Sequence, residues 1–354
     1  MIRIVPRRSL DASYYVADRS HELEGVRDGP PGYWIRGRGP IDSSILERLW
    51  RIPTRSSTVG YDLIVAAPRT VSALLALGDC DEQRRLVADH RESVLAAVSY
   101  LEERALVVTT TVAGEGIEQR SRWSSIVSFT HGVNRIGEPH LHDHVLVGAL
   151  PQYRSLVLSR RSLSAHLLAA DAIYRAEFRF RIGQNGVRRS WRTLGGVELV
   201  QGVEEGHRAL WPGDRNLGVR KQWWTREEIV EKWKTDLLRF ESIQLRDPPS
   251  RTGVLNEQIF GAQLEGLPSV SRRDLIVAVA NGATLGLSRN SIESFVDTHY
   301  PDLATDRGLT GERIGVRRAR QAALVKELGP RPLEIGDVAK WRQRERPRSI
   351  DRSR

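Results

Sequence analysis

Residues Phe129 to Gly148 read FTHGVNRIGEPHLHDHVLVG. Two runs rich in β-branched and aromatic residues flank a Gly- and Pro-bearing centre. WSSIVSFTHGV (Trp123–Val133) and HLHDHVLVGAL (from His140) each read as a strand. A turn through GVNRIGEP lays them side by side as an antiparallel hairpin. Three histidines, His140, His142 and His144, stand at alternate positions, so a strand turns all three to one face. Residues i and i+2 on a strand lie about 7 Å apart and i and i+4 about 13 Å apart. Imidazole nitrogens bind a metal ion at roughly 2.0–2.1 Å, so two neighbours can converge and the outer pair cannot. One adjacent pair is therefore favoured, with a third ligand from another strand. His131, at the end of the preceding strand, is the obvious source. Asp143 points to the opposite face. An exposed strand face is the plainer reading of any single histidine, but four in this arrangement point to a metal.

Working outward, strands and helices alternate unevenly. Tyr61–Ala67 (YDLIVAA), Leu106–Val112 and Ser155–Ser159 read as strands, as does a stretch near the N-terminus. RTVSALLALGD, DEQRRLVADHRESVLAAVSYLEERA and roughly Ser164–Arg181 carry apolar residues at helical spacing. TREEIVEKWKTDLLRF is a further helix, with Thr225 as its cap and Glu228 at the capping-box position. Residues 29–40 (GPPGYWIRGRGP) read as a loop, and residues 187–200 as a hairpin turning at Gly195–Gly196. The expected fold is α+β, an antiparallel sheet with helices packed on its face. Composition turns loop-like around 246–268, which is expected to link a unit of residues 1–245 to a small helical region at 269–335. Within that region SRRDLIVAVANGA and SRNSIESFVDTHY each open on a serine cap. The tail, 336–354, is arginine-rich and expected to be disordered.

The 354 residues carry a net charge of +10, which favours polyanionic partners, nucleic acid first. The 49 arginines against five lysines also fit a GC-rich genome. A single cysteine, Cys80, excludes an intrachain disulfide and fits a reducing cytosol. No run approaches the ~18–20 apolar residues of a membrane span, so no membrane insertion is expected. The chain has no G-x-x-x-x-G-K-[ST] loop, since Val219 stands where the lysine of GDRNLGVRK would be.

A second feature is SYY (Ser13–Tyr15). A tyrosine hydroxyl can attack a phosphodiester and hold a covalent phosphotyrosyl ester. Its reference pKa near about 10 makes it a weak nucleophile unless a metal polarises the phosphate or a base lies beside it.

Taken together, these motifs resemble the relaxase domain of conjugative plasmid-transfer proteins of the TraI/TrwC type, the MobF family of the HUH endonuclease superfamily. SYY is similar to the family's N-terminal tyrosine motif, and WIRGRG (Trp34–Gly39) to its W-x-G-R-G. GYDLIVAAPRTVSALLALGD (Gly60–Asp79) resembles G-Y-D-L-T-F-S-A-P-K-S-V-S and its helix. The opening stretch resembles F-x-H-x-x-S-R-x-x-x-P-Q-L-H-T-H-x-x-V-x-N. The likeness runs over roughly residues 1–240.

The resemblance implies an HUH relaxase-like fold and a metal on His131, His142 and His144. It implies Tyr14 as the attacking tyrosine, with Tyr15 its neighbour and lesser candidate. Asp62 falls on an active-site aspartate that orients a histidine or takes the tyrosine proton. The implied activity nicks and rejoins single-stranded DNA at a plasmid transfer origin through a 5′-phosphotyrosyl intermediate. Mg²⁺ or Mn²⁺ is the expected ion, with Zn²⁺ or Ni²⁺ as alternatives. Trp34, Arg36, Arg38, Arg69 and His140 are the expected DNA contacts, by stacking and charge. A coupling ATPase and accessory DNA-binding proteins are the implied partners, in the bacterial cytoplasm.

This chain departs from the pattern at several places. His140 replaces a glutamine, Asp143 a threonine and Arg69 a lysine. His21–Glu22 stand where some relatives carry a second tyrosine pair, so one catalytic tyrosine is expected. No helicase activity is expected. Two other classes fit parts of the sequence. One is a metal-dependent phosphoester hydrolase, although HLHDH places its aspartate one position early for H-x-H-x-D-H. The other is a degenerate relaxase kept for origin binding.

Overall fold

The computed structural model describes residues 2–7, 15, 33–34, 39–40, 60–105, 107–112, 115–120, 125–148, 157–158, 160–184, 191–194, 197–200, 224–238, 255, 257–303 and 309–310. In chain order the strands are β1 (Ile2–Arg7), β2 (Tyr33–Trp34), β3 (Gly39–Pro40), β4 (Gly60–Ala66), β5 (Val107–Val112), β6 (Glu115–Arg120), β7 (Ser125–Val133), β8 (Pro139–Gly148), β9 (Val157–Leu158), β10 (Trp191–Leu194), β11 (Val197–Val200), β12 (Ser269–Val270) and β13 (Leu309–Thr310). The helices are α1 (Arg69–Leu77), α2 (Cys80–Ala105), α3 (Arg160–Gln184), α4 (Arg226–Leu238), α5 (Glu257–Leu264), α6 (Arg272–Gly282) and α7 (Arg289–His299).

Four long antiparallel strands make the main sheet in the order β1-β4-β8-β7, and the two-residue strands β2 and β3 extend it past β7. The fold is α+β. Residues 29–40 are not wholly loop, because Tyr33 and Trp34 pair with Ser128 and Val127 of β7. Two paired residues are too few to show as a pattern among glycines and prolines. A further strand, β6, pairs with β5 although its Glu115, Glu118 and Gln119 have poor strand propensity. Pairing with a β-branched partner overrides that local preference.

Alternation along the strands divides the sheet's two faces. Ile2, Leu63, Val65, Leu141, Val145, Val147 and Ile126 point to one side and join a buried core with the helices. Across it α2 and α3 lie against each other through small and branched residues, among them Ala97, Val98, Ala172 and Ala176, which are at most 1% exposed. Two polar pairs stitch them together, His90 with Tyr174 at 2.8 Å and Tyr100 with His166 at 3.0 Å. The opposite face carries the histidines.

The β7–β8 turn is tightly specified. The Asn134 side chain accepts from the amides of Ile136 and Glu138, both at 3.0 Å, and Gly137 takes φ +78°. Trp233 of α4 donates its ring N–H to the Gly137 carbonyl at 2.9 Å. Helix α4 starts on the reciprocal Thr225–Glu228 capping box.

Beyond Glu257, helices α6 and α7 pack on α3 and α5 packs on α6. Helix α5 occupies part of the stretch expected as a linker, and its Phe260 and Leu264 are buried. Ser271 closes a capping box on Asp274, and Ser288 caps α7. The buried Arg179 of α3 donates to the Ala280 carbonyl, and Glu177 accepts from the Arg289 amide. Gly286 sits at φ +87°, where an added Cβ would lie 2.2 Å from the Phe180 nitrogen and 2.4 Å from the Ala176 oxygen. Both neighbours are helix backbone and cannot swing away. Gly286→Ala should therefore cost about 3 kcal/mol or more, from left-handed strain plus overpacking, as measured by urea unfolding. A change below about 0.5 kcal/mol would mean that this close approach of the two backbones is not made.

Candidate active site

Pairing register builds the site. His144 lies across from Ile64 on β4 and from Phe129 on β7, and His142 lies across from Ala66 and His131. Cross-strand partners share a face, so His131, His142 and His144 form a triangle on one side of the sheet. Their ring centroids are 5.2 Å apart for each pair, and one nitrogen from each lies within 4.8 Å of the others. All three are buried. β7 loses register just past His131, between that residue and Val133, so the regular ladder ends where the triad needs its third member.

Hydrogen bonds set the ring orientations. The His142 Nδ1 donates to the His140 carbonyl at 2.8 Å. The His144 Nδ1 lies 3.0 and 3.1 Å from the two carboxylate oxygens of Asp62. A carbonyl and a carboxylate can only accept, so each Nδ1 carries a proton and Nε2 is the nitrogen left to face a metal. Burial holds His142 well below the ordinary histidine pKa, with the charges of His140 and the other two histidines acting the same way. It is a neutral imidazole, the form a metal ligand needs.

Asp62 is fully buried beneath this group. It accepts from His144, from the Tyr15 hydroxyl at 3.0 Å, and from the Arg7 guanidinium. Burial alone would raise its pKa. Hydrogen bonding and charge from His144, and then from Arg7, outweigh that and hold the carboxyl below its ordinary value. A carboxylate so fully donated to is a weak base and a firm anchor.

Tyr15 is 5% exposed, stacks on Phe129 at 5.2 Å and lies 5.0 Å from the His144 ring. Its hydroxyl is committed to Asp62, on the Nδ1 side of His144. Its main-chain oxygen lies 3.3 Å from the His131 Nε2. His140 stands outside the triad, stacked on His142 with centroids 4.5 Å apart, and burial with the nearby Arg69 charge pushes its pKa down to about 3. Arg69 opens α1, 4.0 Å from Glu138. Trp34 pairs with β7 through its backbone. Tyr14, Arg36 and Arg38 lie outside the described residues.

Arg7 was not found by sequence reasoning. Its only signal is its place in β1, where alternation sets it on the face of Asp62, and that is visible only once β1 is known to pair with β4.

The TrwC relaxase family matches this chain over residues 17–211. The chain belongs to the TrwC relaxase family. Among its curated relatives is the multifunctional conjugation protein TraI of Escherichia coli, 29% identical over 171 residues, covering 41% of this chain and 9% of that protein. TraI of E. coli strain K12 is 33% identical over 121 residues, covering 34% of this chain and 6% of the relative. The matched part thus spans less than a tenth of the curated relatives' length. Among solved structures, conjugative relaxase TrwC with oriT DNA in a copper-bound form has a TM-score of 0.54 at 17% identity. A metal-bound TrwC–oriT DNA structure has a TM-score of 0.52 at 18% identity. Each covers 70% of this chain and all of the TrwC chain. At this identity the likeness is one of fold.

In this TrwC-family relaxase the Arg7–Asp62 pair has a measurable consequence. Removing Arg7 leaves a buried carboxylate with a tyrosine and a histidine as donors. Because Arg7 is about a third exposed, Arg7→Ala should cost about 1–2 kcal/mol, less than breaking a fully buried pair. The sign with pH follows from a depressed carboxyl. Its stabilisation is full above the ordinary pKa of 3.8 and is lost as pH falls through the lower folded value. The gap between wild type and Arg7→Ala should therefore close in acid. A gap that widened on acidification would contradict the ion pair.

Proposed function

We propose that this chain is a DNA strand transferase that nicks and rejoins single-stranded DNA at a plasmid transfer origin. The carrying observation is the convergence of three buried histidines with the Asp62–Tyr15 cluster at one point on the sheet. A triad of imidazole nitrogens suits a transition-metal ion such as Mn²⁺, Ni²⁺ or Zn²⁺ better than Mg²⁺, which prefers oxygen. Held by His131, His142 and His144, such an ion would polarise the non-bridging oxygens of the scissile phosphate.

The remaining roles belong to the chain's own groups. Tyr14 loses its hydroxyl proton to solvent and attacks phosphorus, the bond to the 3′ oxygen breaks, and that oxygen leaves as a 3′-hydroxyl after taking up a proton from solvent. The 5′ side stays on the tyrosine as an ester, so the reverse attack by a 3′-hydroxyl reseals a strand without ATP. Support for Tyr14 over Tyr15 comes from Tyr15 itself, whose hydroxyl is spent on Asp62 while its carbonyl touches His131. Asp62 fixes the His144 tautomer rather than taking the tyrosine proton, consistent with its three donors. The family match begins at residue 17, past the tyrosines, so this assignment rests on the motif and on Tyr15's placement.

Trp34, Arg36, Arg38, Arg69 and His140 line the path of the strand in this reading. Trp34's attachment to β7, Arg69's place at the head of α1 and His140's position at the triad's edge support it. A coupling ATPase and accessory DNA-binding proteins would supply what nicking alone does not, in the cytoplasm. No helix among the described residues is long and apolar enough to cross a membrane.

The test uses a library of labelled single-stranded oligonucleotides tiling candidate transfer origins, incubated with Mn²⁺. A covalent protein–DNA band on a denaturing gel, absent with chelator, is the expected result. Catalytic release of free 5′-phosphate with no adduct would favour a hydrolase. Tight binding without cleavage would favour a degenerate origin binder.

A further inference from the structure

Behind the metal face, on the helix-packed side of the same strands, lies a second polar chain. Asp143 stands between His142 and His144 in β8 but points the other way, among residues such as Leu141 and Val145, and is 1% exposed. It accepts from the Ser128 hydroxyl of β7. His90 of α2, fully buried, brings Nε2 to 3.2 Å from the other Asp143 oxygen, a close contact though off the line of a good hydrogen bond. The other His90 nitrogen meets the Tyr174 hydroxyl of α3 at 2.8 Å. Beside this chain Arg91 donates to Thr130 at 3.0 Å, and Thr130 is the cross-strand partner of Asp143.

A carboxylate at this position is costly. Replacing a buried ion pair with apolar side chains is often neutral or stabilising, so core stability alone does not account for it. The triad face has an ambiguity that such a group removes. With histidines at 140, 142 and 144, a shift of β8 by two residues keeps every histidine on the same face. Such a shift would only exchange which histidine lies across from His131. The core face does not share that symmetry. A two-residue shift would set Leu141 or Val145 across from Thr130, where Asp143 now stands, and so take the carboxylate away from His90 and leave that buried imidazole facing an apolar side chain.

We propose that Asp143 and His90 are positioning residues that fix β8 against β7 and α2 from behind, so that His142 and His144, and not His140, meet His131. This deepens the metal reading above and rests on it. The pair touches neither metal nor DNA. It acts through the placement of the two strands.

Co²⁺ titration of the whole chain, followed by its visible d–d bands, separates this role from plain core stability. Asp143→Val and His90→Gln should each weaken Co²⁺ binding roughly 10- to 100-fold and alter the band shape, the scale on which groups supporting metal ligands act. The double variant should bind no more weakly than the worse single one, because the two act as one unit. In wild type, His140→Ala should cost far less Co²⁺ affinity than Asp143→Val does, whereas in the Asp143→Val background it should lower the affinity further. Should Asp143→Val fail to fold, Asp143→Asn and His90→Gln give the same reading. Lower thermal stability with unchanged Co²⁺ affinity and spectrum in these variants would overturn the proposal. An unaffected His140→Ala in the Asp143→Val background would overturn the choice of histidines. A wild type that bound no Co²⁺ would instead remove the metal reading, and this inference with it.

Discussion

Mutation of His144 to alanine is expected to abolish metal uptake. His144 is joined to both halves of the site: its ring stands in the triad, and its Nδ1 is anchored by Asp62. Changing groups that only support a metal ligand costs roughly 10- to 100-fold in affinity, so removing a ligand should exceed about 100-fold. The same change strips Asp62 of one donor and leaves Arg7 and Tyr15 to satisfy it. Some loss of stability should accompany the loss of metal, on the order of 1–3 kcal/mol for one charged hydrogen bond. His140→Ala is the matched control, since that ring stacks on His142 but lies outside the triad. Calorimetric titration with Mn²⁺ reads both variants. Equal loss of metal in the two would place His140 among the ligands and refute the triad as drawn.

The second large effect is on chemistry. Tyr14→Phe should eliminate the covalent protein–DNA adduct while leaving metal binding and oligonucleotide binding near wild type. Removing a covalent nucleophile costs on the order of 10⁴-fold or more, so the adduct should fall below detection. Tyr15→Phe should behave differently. It deletes a hydroxyl whose partner is Asp62, not a phosphate, and leaves the ring to stack on Phe129. The adduct should persist with Tyr15→Phe, at a stability cost of about 1.5–3 kcal/mol for a hydrogen bond to a charged group. If the two variants exchanged these behaviours, Tyr15 would be the nucleophile and its contact with Asp62 its activation.

Much of the fold was legible because local rules and tertiary packing agree. The serines and threonine that open α4, α6 and α7 cap those helices by side-chain hydrogen bonds. The β-rich runs at Tyr61–Ala67 and around the histidines became the sheet's central strands. What was misread had little local signal. The two-residue strands β2 and β3 exist through pairing with β7 and each other, and β6 through pairing with β5. The helix in the expected linker, α5, is held by burial of Phe260 and Leu264 against the rest of the fold.

The candidate site divides along the same line. Period-two alternation and the reach of an imidazole are local facts. The sequence by itself therefore limited β8 to one adjacent histidine pair and sent Asp143 to the far face. It could not show that Arg7 of β1 reaches Asp62 of β4, a separation of 55 residues, or that His90 of α2 reaches Asp143. Those contacts depend on which strands are neighbours and on how the helices cross them. Burial away from water decides that arrangement for the whole chain at once, and no short stretch of sequence carries it.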